Sequence, residues 1–460
     1  MSTTRPSRLR TPPWKRRLPT VLAIIALVCV VGLLATDLWP SGSHQSPAHR
    51  PLAPLPPPRV VDRTTHLTTS IATVGPSQRF GEAVSASSGN LQVAAATSWL
   101  PTRAVVQTWQ RSGSQPWSAP ATPLPTGFYR SYDPSIATLD NGTIVVSEGA
   151  DLAHRTFCLD SGSVAITRIT SAGPTVPVVI DDQRGHSGFD DRPTVAAGYG
   201  SDVWAGWSHG SYAHSCDLVG GDDQLHVALS TDYGRTFEPS ITIPSPGGNF
   251  GVQIAAIAQG EAFVAWTQYS TAGTYRIMVA EIHHGVLLHA PTAVGSGTIQ
   301  PAQLPGASFP TFTVPSLIVV NNRPGLAWPS WIAGQSMVQI ALPASTGTSW
   351  WRTILAPPAG EDFLVPALGL QPNGTVFLVS AAHLRASDAV RYDVRTIGTN
   401  PANGGLSVGA VHPLNIPLPG PGFRELGETL EISPYQSTNS TAMVLGSASA
   451  SRILTAVWKP

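Results

Sequence analysis

The sequence predicts an all-β chain: a β-propeller of seven four-stranded blades, with six as the alternative, preceded by one N-terminal transmembrane helix. Three observations predict it. Paired apolar runs recur beyond residue 77 at spacings of 51 to 63 residues. A Gly- or Asn-containing turn separates the two runs of most pairs. The 460 residues hold 43 Gly and 43 Pro but only 12% charged residues, a composition that argues against a helical bundle.

At the N-terminus, residues 1–17 carry Arg5, Arg8, Arg10, Lys15, Arg16 and Arg17 with no acid, and residues 18–36 are uncharged and largely apolar. That run is long enough to cross a bilayer, and basic residues stay on the cytoplasmic side. Residues 1–17 are therefore expected as a cytoplasmic tail and 18–36 as a signal anchor in a single-pass cell-membrane protein, with everything after Asp37 extracytoplasmic. Secretion after cleavage of a signal peptide is the alternative. Residues 37–58, rich in Pro and Ser, read as a tether. The remainder, 59–460, is the predicted propeller.

Its repeating openings fall at Glu82, Pro134, Pro193, Val252, Pro315, Pro366 and Glu428. Turns such as Ser88-Gly89-Asn90, Asp140-Asn141-Gly142 and Pro372-Asn373-Gly374 follow, supplying the positive φ angles of tight hairpins. Second runs such as VWAGWSH and AFVAWTQ come next. A unit of this length accommodates four strands and cannot bury both faces alone, so neighbours must stack. The last unit has room for only about three, and a closing strand near 60–74 is expected to complete it and remove the open edges.

Residues 230–237 read STDYGRTF, the full S-x-D-x-G-x-T-[WF] pattern of an Asp-box. Weaker copies begin at Ser171, Ser345 and Asn403. The chain thereby resembles the sialidase-like propellers that carry this repeat. As residues, the box is a hairpin device: Asp232 accepts backbone N–H groups, Gly234 supplies a left-handed turn, and Phe237 anchors the hairpin in apolar packing. Ser230 and Thr236 complete the pattern. In the family the box is structural and lies away from the active face.

The segments before the first strands of the units hold a large share of the charge, alternating with aromatics. Arg79, Arg130, Asp133, Asp191, Arg192 and Arg424 are the candidate ligand-binding residues of a polar cleft at one end of the ring. The resemblance implies a second possibility, since sialidases hold a substrate carboxylate with an arginine triad and use a Tyr with a Glu partner as nucleophile and an Asp as acid/base. A guanidinium grips a carboxylate bidentately, and glycoside hydrolysis needs a nucleophile and an acid on opposite sides of the scissile bond. Tyr132, Glu148 and Asp191 are the candidate catalytic residues. The family's F-R-I-P element has no counterpart; Asp191-Arg192-Pro193 is the nearest sequence.

Cys158 and Cys216 occupy equivalent positions after Pro134 and Pro193, which predicts a disulfide between adjacent loops. His209, His214, Asp217, Asp222 and Asp223 follow no metal-loop spacing, so solvated polar residues are expected there and no metal site. No G-x-S-x-G, Walker A, H-E-x-x-H or dinucleotide motif occurs, and no cofactor is expected. Lys+Arg and Asp+Glu both number 27, which excludes a basic nucleic-acid binder. The expectation is a monomer that binds a glycan or cell-surface protein at the mouth of the channel, with a retaining exo-sialidase or related glycoside hydrolase as the alternative.

Overall fold

A computed structural model of the chain describes residues 65–73, 79–100, 102–152, 162–184, 188–211, 224–270, 272–301, 303–307, 311–344, 349–371, 374–400, 405–414, 432–435, 440–447 and 452–459. Every regular element among them is a β-strand. No helix among the described residues is long and apolar enough to cross a membrane. The expected tail, anchor and tether lie outside them.

The strands run as successive antiparallel meanders. Arg79–Ser88, Leu91–Trp99 and Ala104–Ser112 form one sheet. Arg130–Thr138, Ile144–Asp151 and Ser163–Thr170 lead the next, and Gly188–Ala197, Val203–Ser211, Gln224–Ser230 and Ile241–Ile243 the one after. Two further meanders, opening with Gly248–Ala258 and Ser316–Val320, are joined into one sheet by the single pair Thr298 with Trp331. Another opens with Glu361–Leu370. In the last sheet Ile432–Tyr435, Ser440–Ser447 and Arg452–Lys459 are completed by Thr65–Thr73, which pairs antiparallel with Arg452–Lys459.

The first strand of each meander packs on its neighbours, and the series closes on itself: Glu361–Leu370 touches Ile432–Tyr435, which touches Arg79–Ser88. This ring of sheets is a β-propeller. Its core is divided into layers between sheets. Val84, Val93 and Val106 pack with Ile136, Ile144 and Val146 of the following sheet. Val145, Val164 and Ile166 of that same sheet pack instead with Val195, Val203 and Trp207 of the next. Alternate residues of a strand face opposite sides, so one near-continuous apolar run serves two layers. The interleaved tryptophans are fully buried at Trp204, Trp207, Trp266 and Trp328. Two of them find indole partners, Trp266 on Asn249 Oδ1 (3.0 Å) and Trp328 on the Tyr275 hydroxyl (3.0 Å).

Candidate functional site

The first strands share a defect that builds the mouth. Each of five carries a register shift at the same place: between Phe80 and Ala83, Tyr132 and Ser135, Asp191 and Thr194, Phe250 and Gln253, and Phe363 and Pro366. Such a bulge bends the strand and re-aims a side chain. In three successive sheets the bulged residue is left-handed: Asp133 (φ 51°), Arg192 (φ 56°) and Gly251 (φ 68°). A non-glycine residue held there stores strain and marks a position the surrounding structure over-determines.

These bulges line a small open cleft together with Ser135, Thr194, Gln253 and Val314. Arg192 reaches across it. Its Nε lies 3.7 Å from Asp133 Oδ2 of the preceding sheet, and its guanidinium sits 5.4 Å from the Phe250 ring centre and 5.5 Å from that of Phe312. The Asp191 carboxylate accepts the Arg192 backbone N–H (3.0 Å). Arg130 instead pairs within its own sheet, Nη2 to Asp151 Oδ2 at 3.0 Å. The Arg79 side chain and all of Arg424 lie outside the described residues. Among those described, Asp133 and Arg192 therefore come together at the cleft, Asp191 caps the Arg192 backbone beside it, and Arg130 turns to Asp151.

Tyr132 and Glu148 do not meet as a nucleophile pair. Tyr132 pairs with Gly149, and its ring fills the space over that glycine, where a Cβ would lie 2.5 Å from Cε2; it stacks on Phe189 of the following sheet. Glu148 is one residue away on the same strand and so faces the other side, the layer shared by Ile144 and Val146 with the preceding sheet. Burial raises the Glu148 carboxyl to about 8, and only the Ser131 hydroxyl eases the shift. Burial also drives the Tyr132 phenol well above its ordinary value, and Asp191, Asp151, Asp133 and Asp190 add to it. A phenol so surrounded holds its proton in this state.

The sequence reading does not assemble two charge clusters, and it takes His209 for a solvated residue, whereas His209 bonds a buried carboxylate. In the first, Asp362 is buried and takes Nε and Nη2 of Arg385 at 2.6 and 2.7 Å and the Ser336 backbone N–H at 2.8 Å. Burial opposes its ionisation, but the Arg385 hydrogen bonds prevail and hold it down at about 2. Beside it Arg391 binds Glu361 (2.9 Å) and Asp393 (2.8 Å), and Arg395 binds Asp393 (3.4 Å). These three arginines converge on carboxylates of their own sheet. The signal was available in Arg391, Asp393 and Arg395, which alternate along one strand and so share a face.

In the second, Asp190 is fully buried with Oδ1 2.7 Å from His209 Nδ1. Burial raises its carboxyl to about 7, against the opposing pull of the His209 hydrogen bond. Donor atoms of Asp181, Asp190 and His209 lie within 4.8 Å of one another. His226 stands against His209, ring centres 5.4 Å apart. Cys158, His214, Cys216, Asp217, Asp222 and Asp223 lie outside the described residues, and with them the expected disulfide.

The Asp-box forms at the other ends of the strands. Asp232 Oδ1 accepts the backbone N–H groups of Arg235 and Thr236 (both 2.9 Å), and Oδ2 accepts the Thr236 hydroxyl (2.7 Å). The Ser230 hydroxyl accepts the Gly234 N–H (2.9 Å), Tyr233 and Gly234 are left-handed, and Phe237 packs on the apolar layer. The Tyr233 N–H bonds Ser201 O in the turn between the first two strands of its sheet, away from the cleft.

No model of a known protein family matches the chain, and no curated protein matches it. Among solved structures it is similar to a Dyadobacter fermentans protein of unknown function, at 9% identity and TM-score 0.46, over 85% of this chain and 99% of that one. It is also similar to the NanB sialidase of Streptococcus pneumoniae, at 9% identity and TM-score 0.43, over 80% and 70% of the two chains. A third similarity is to Penicillium chrysogenum α-L-arabinanase complexed with arabinobiose, at 11% identity and TM-score 0.44, over 85% and 98%.

Proposed function

We propose that the chain is a seven-bladed, sialidase-like propeller, anchored in the cell membrane through residues 18–36, that binds a glycan at the extracytoplasmic mouth of its channel. Dividing the nine-stranded sheet at its single Thr298–Trp331 pair supports a count of seven. One observation carries the binding reading: Arg192 is gripped by Asp133 and lies against Phe250 and Phe312, while Ser135, Thr194 and Gln253 line the same cleft. Charge, hydroxyl, amide and aromatic groups converge there, a mixture suited to sugar hydroxyls and ring faces. The buried Tyr132 hydroxyl and the Glu148 side chain turned into the opposite, inter-sheet layer favour binding over a covalent glycosidase mechanism.

The test is a glycan-binding screen of the full-length protein in detergent, beside Asp133→Asn and Arg192→Ala. The expected result is a saturable oligosaccharide ligand whose affinity drops at least about tenfold in both variants, a loss of roughly 1.4 kcal/mol. Hydrolysis of a fluorogenic sialoside that disappears in Tyr132→Phe would overturn the proposal in favour of a retaining sialidase.

A further inference from the structure

Asp181 ends the strand Val178–Asp181, which pairs with Ser163–Thr170 at the outer side of one sheet. Asp190 begins the first strand of the next sheet, and His209 is its register partner on the second strand. Three side chains from three strands of two sheets thus meet at the mouth end. We infer that Asp181, Asp190 and His209 form a binding site for one zinc-like divalent cation that clamps these neighbouring sheets.

The donor atoms lie within 4.8 Å of one another, and ligands at about 2.0–2.2 Å from a zinc ion need only small side-chain rotations from there to enclose it. Asp190 has no exposed surface, and its Oδ2 has no hydrogen-bond partner among the described residues. The Asp190 and Asp181 carboxyls are close enough to hydrogen-bond each other, so they share either a proton or a cation, and a cation satisfies both without neutralising either acid. The backbone makes room for the imidazole: a Cβ on Gly188 would lie 2.4 Å from His209 Cε1, so only glycine lets the ring lie there. Outside the donor set, Gln183 Nε2 donates to Asp181 Oδ1 (2.8 Å), the sort of outer contact that fixes a ligand's orientation.

The donor chemistry selects the ion. One imidazole nitrogen with two carboxylates suits zinc and its first-row neighbours, whereas calcium takes six to eight oxygens. The His226 ring lies against that of His209, centres 5.4 Å apart, with its Nε2 buried and without a hydrogen-bond partner among the described residues.

The experiment is calorimetric titration of the chelator-stripped full-length protein with zinc chloride and, separately, calcium chloride. The expected result is one zinc per chain, no comparable calcium binding, and affinity lower by at least roughly tenfold in Asp190→Asn, Asp181→Asn and His209→Ala. Because Asp190 lies in a first strand and its variant is the one at risk of misfolding, Asp181→Asn and His209→Ala carry the test alone if circular dichroism shows Asp190→Asn unfolded. Cobalt adds a readout that a purely structural role would not move: visible absorption bands that change in His209→Ala. Absence of saturable zinc binding in the wild type, or affinity unchanged in both Asp181→Asn and His209→Ala, would overturn the inference.

Discussion

Arg192 and Asp133 hold the same place in the bulges of neighbouring first strands, both with left-handed backbone, and their side chains meet at 3.7 Å. The ring thus ties one sheet to the next by pairing a cation with an anion at repeated positions. Both groups are about one-fifth exposed, so the pair is screened less than a surface pair but not fully desolvated. A double-mutant cycle of Asp133→Asn and Arg192→Ala is expected to give a coupling of about 1 kcal/mol by urea denaturation. Arg192→Ala alone costs more, about 2 kcal/mol, because it also removes the stem and the ring contacts with Phe250 and Phe312. Additive single effects would mean that the two side chains do not sense each other.

Gly251 occupies the third of these bulges, and there the side-chain space is taken. A Cβ would lie 2.8 Å from both Val314 methyls at a positive φ. Gly251→Ala is therefore expected to cost roughly 2–4 kcal/mol, combining left-handed strain with overpacking. Val314→Ala in the same chain should recover the packing part but not the strain. No recovery in the double variant would assign the whole effect to the backbone.

Glu148 makes stability depend on pH in a particular direction. Its folded pKa of about 8 lies above the ordinary 4.5, so the folded state holds a proton that the unfolded state releases between these values. The stability it contributes is complete below about pH 4.5 and is lost as pH rises towards 8, by at most about 1.4 kcal/mol per pH unit. Glu148→Gln keeps the neutral shape without a titrating proton. It should match the wild type at pH 5 and exceed it by roughly 3 kcal/mol at pH 8 in denaturant titrations. Parallel pH profiles of the two proteins would show that Glu148 ionises normally.

Asp232 has the opposite sign. Burial works against its charge, but the Thr236 N–H and hydroxyl, with Ser230 and Arg235, hold its carboxyl below the ordinary value. Its contribution is present above the unfolded pKa and is lost as pH falls through the folded one. Asp232→Ala is expected to cost about 1–2 kcal/mol at pH 7. Because the box lies away from the cleft, glycan affinity should not change; an altered affinity would connect the two ends of the sheets.

Asp393 is buried and shared by Arg391 and Arg395. Removing it in Asp393→Ala leaves two partly buried guanidinium groups short of a counter-charge, with an expected loss of about 3–5 kcal/mol in thermal or urea unfolding. A loss below about 1 kcal/mol would show that water replaces the carboxylate, as at a surface pair.

The meanders were legible because a strand pressed between two sheets must be apolar on both faces, and its turns require Gly or Asn. The openings at Pro134, Pro193, Val252 and Pro366 all fall within first strands. The closing strand was legible from the deficit in the last unit, and Thr65–Thr73 fills it. Side-chain direction was not. One extra residue at each bulge changes what Asp133 and Arg192 face, and nothing in a single unit's sequence announces it. The opposition of Tyr132 and Glu148 required the register of Tyr132 on Gly149. Asp181 joins Asp190 and His209 only through the contact of two sheets, a relationship that spacing along the chain does not encode.

The pairing of Thr65–Thr73 with Arg452–Lys459 gives the ring a latch. A protease acting before Thr65 leaves the latch fastened, whereas one acting just after Thr73 divides the latch strand from the sheets it secures. Loss of this one strand would leave the last sheet with an open edge.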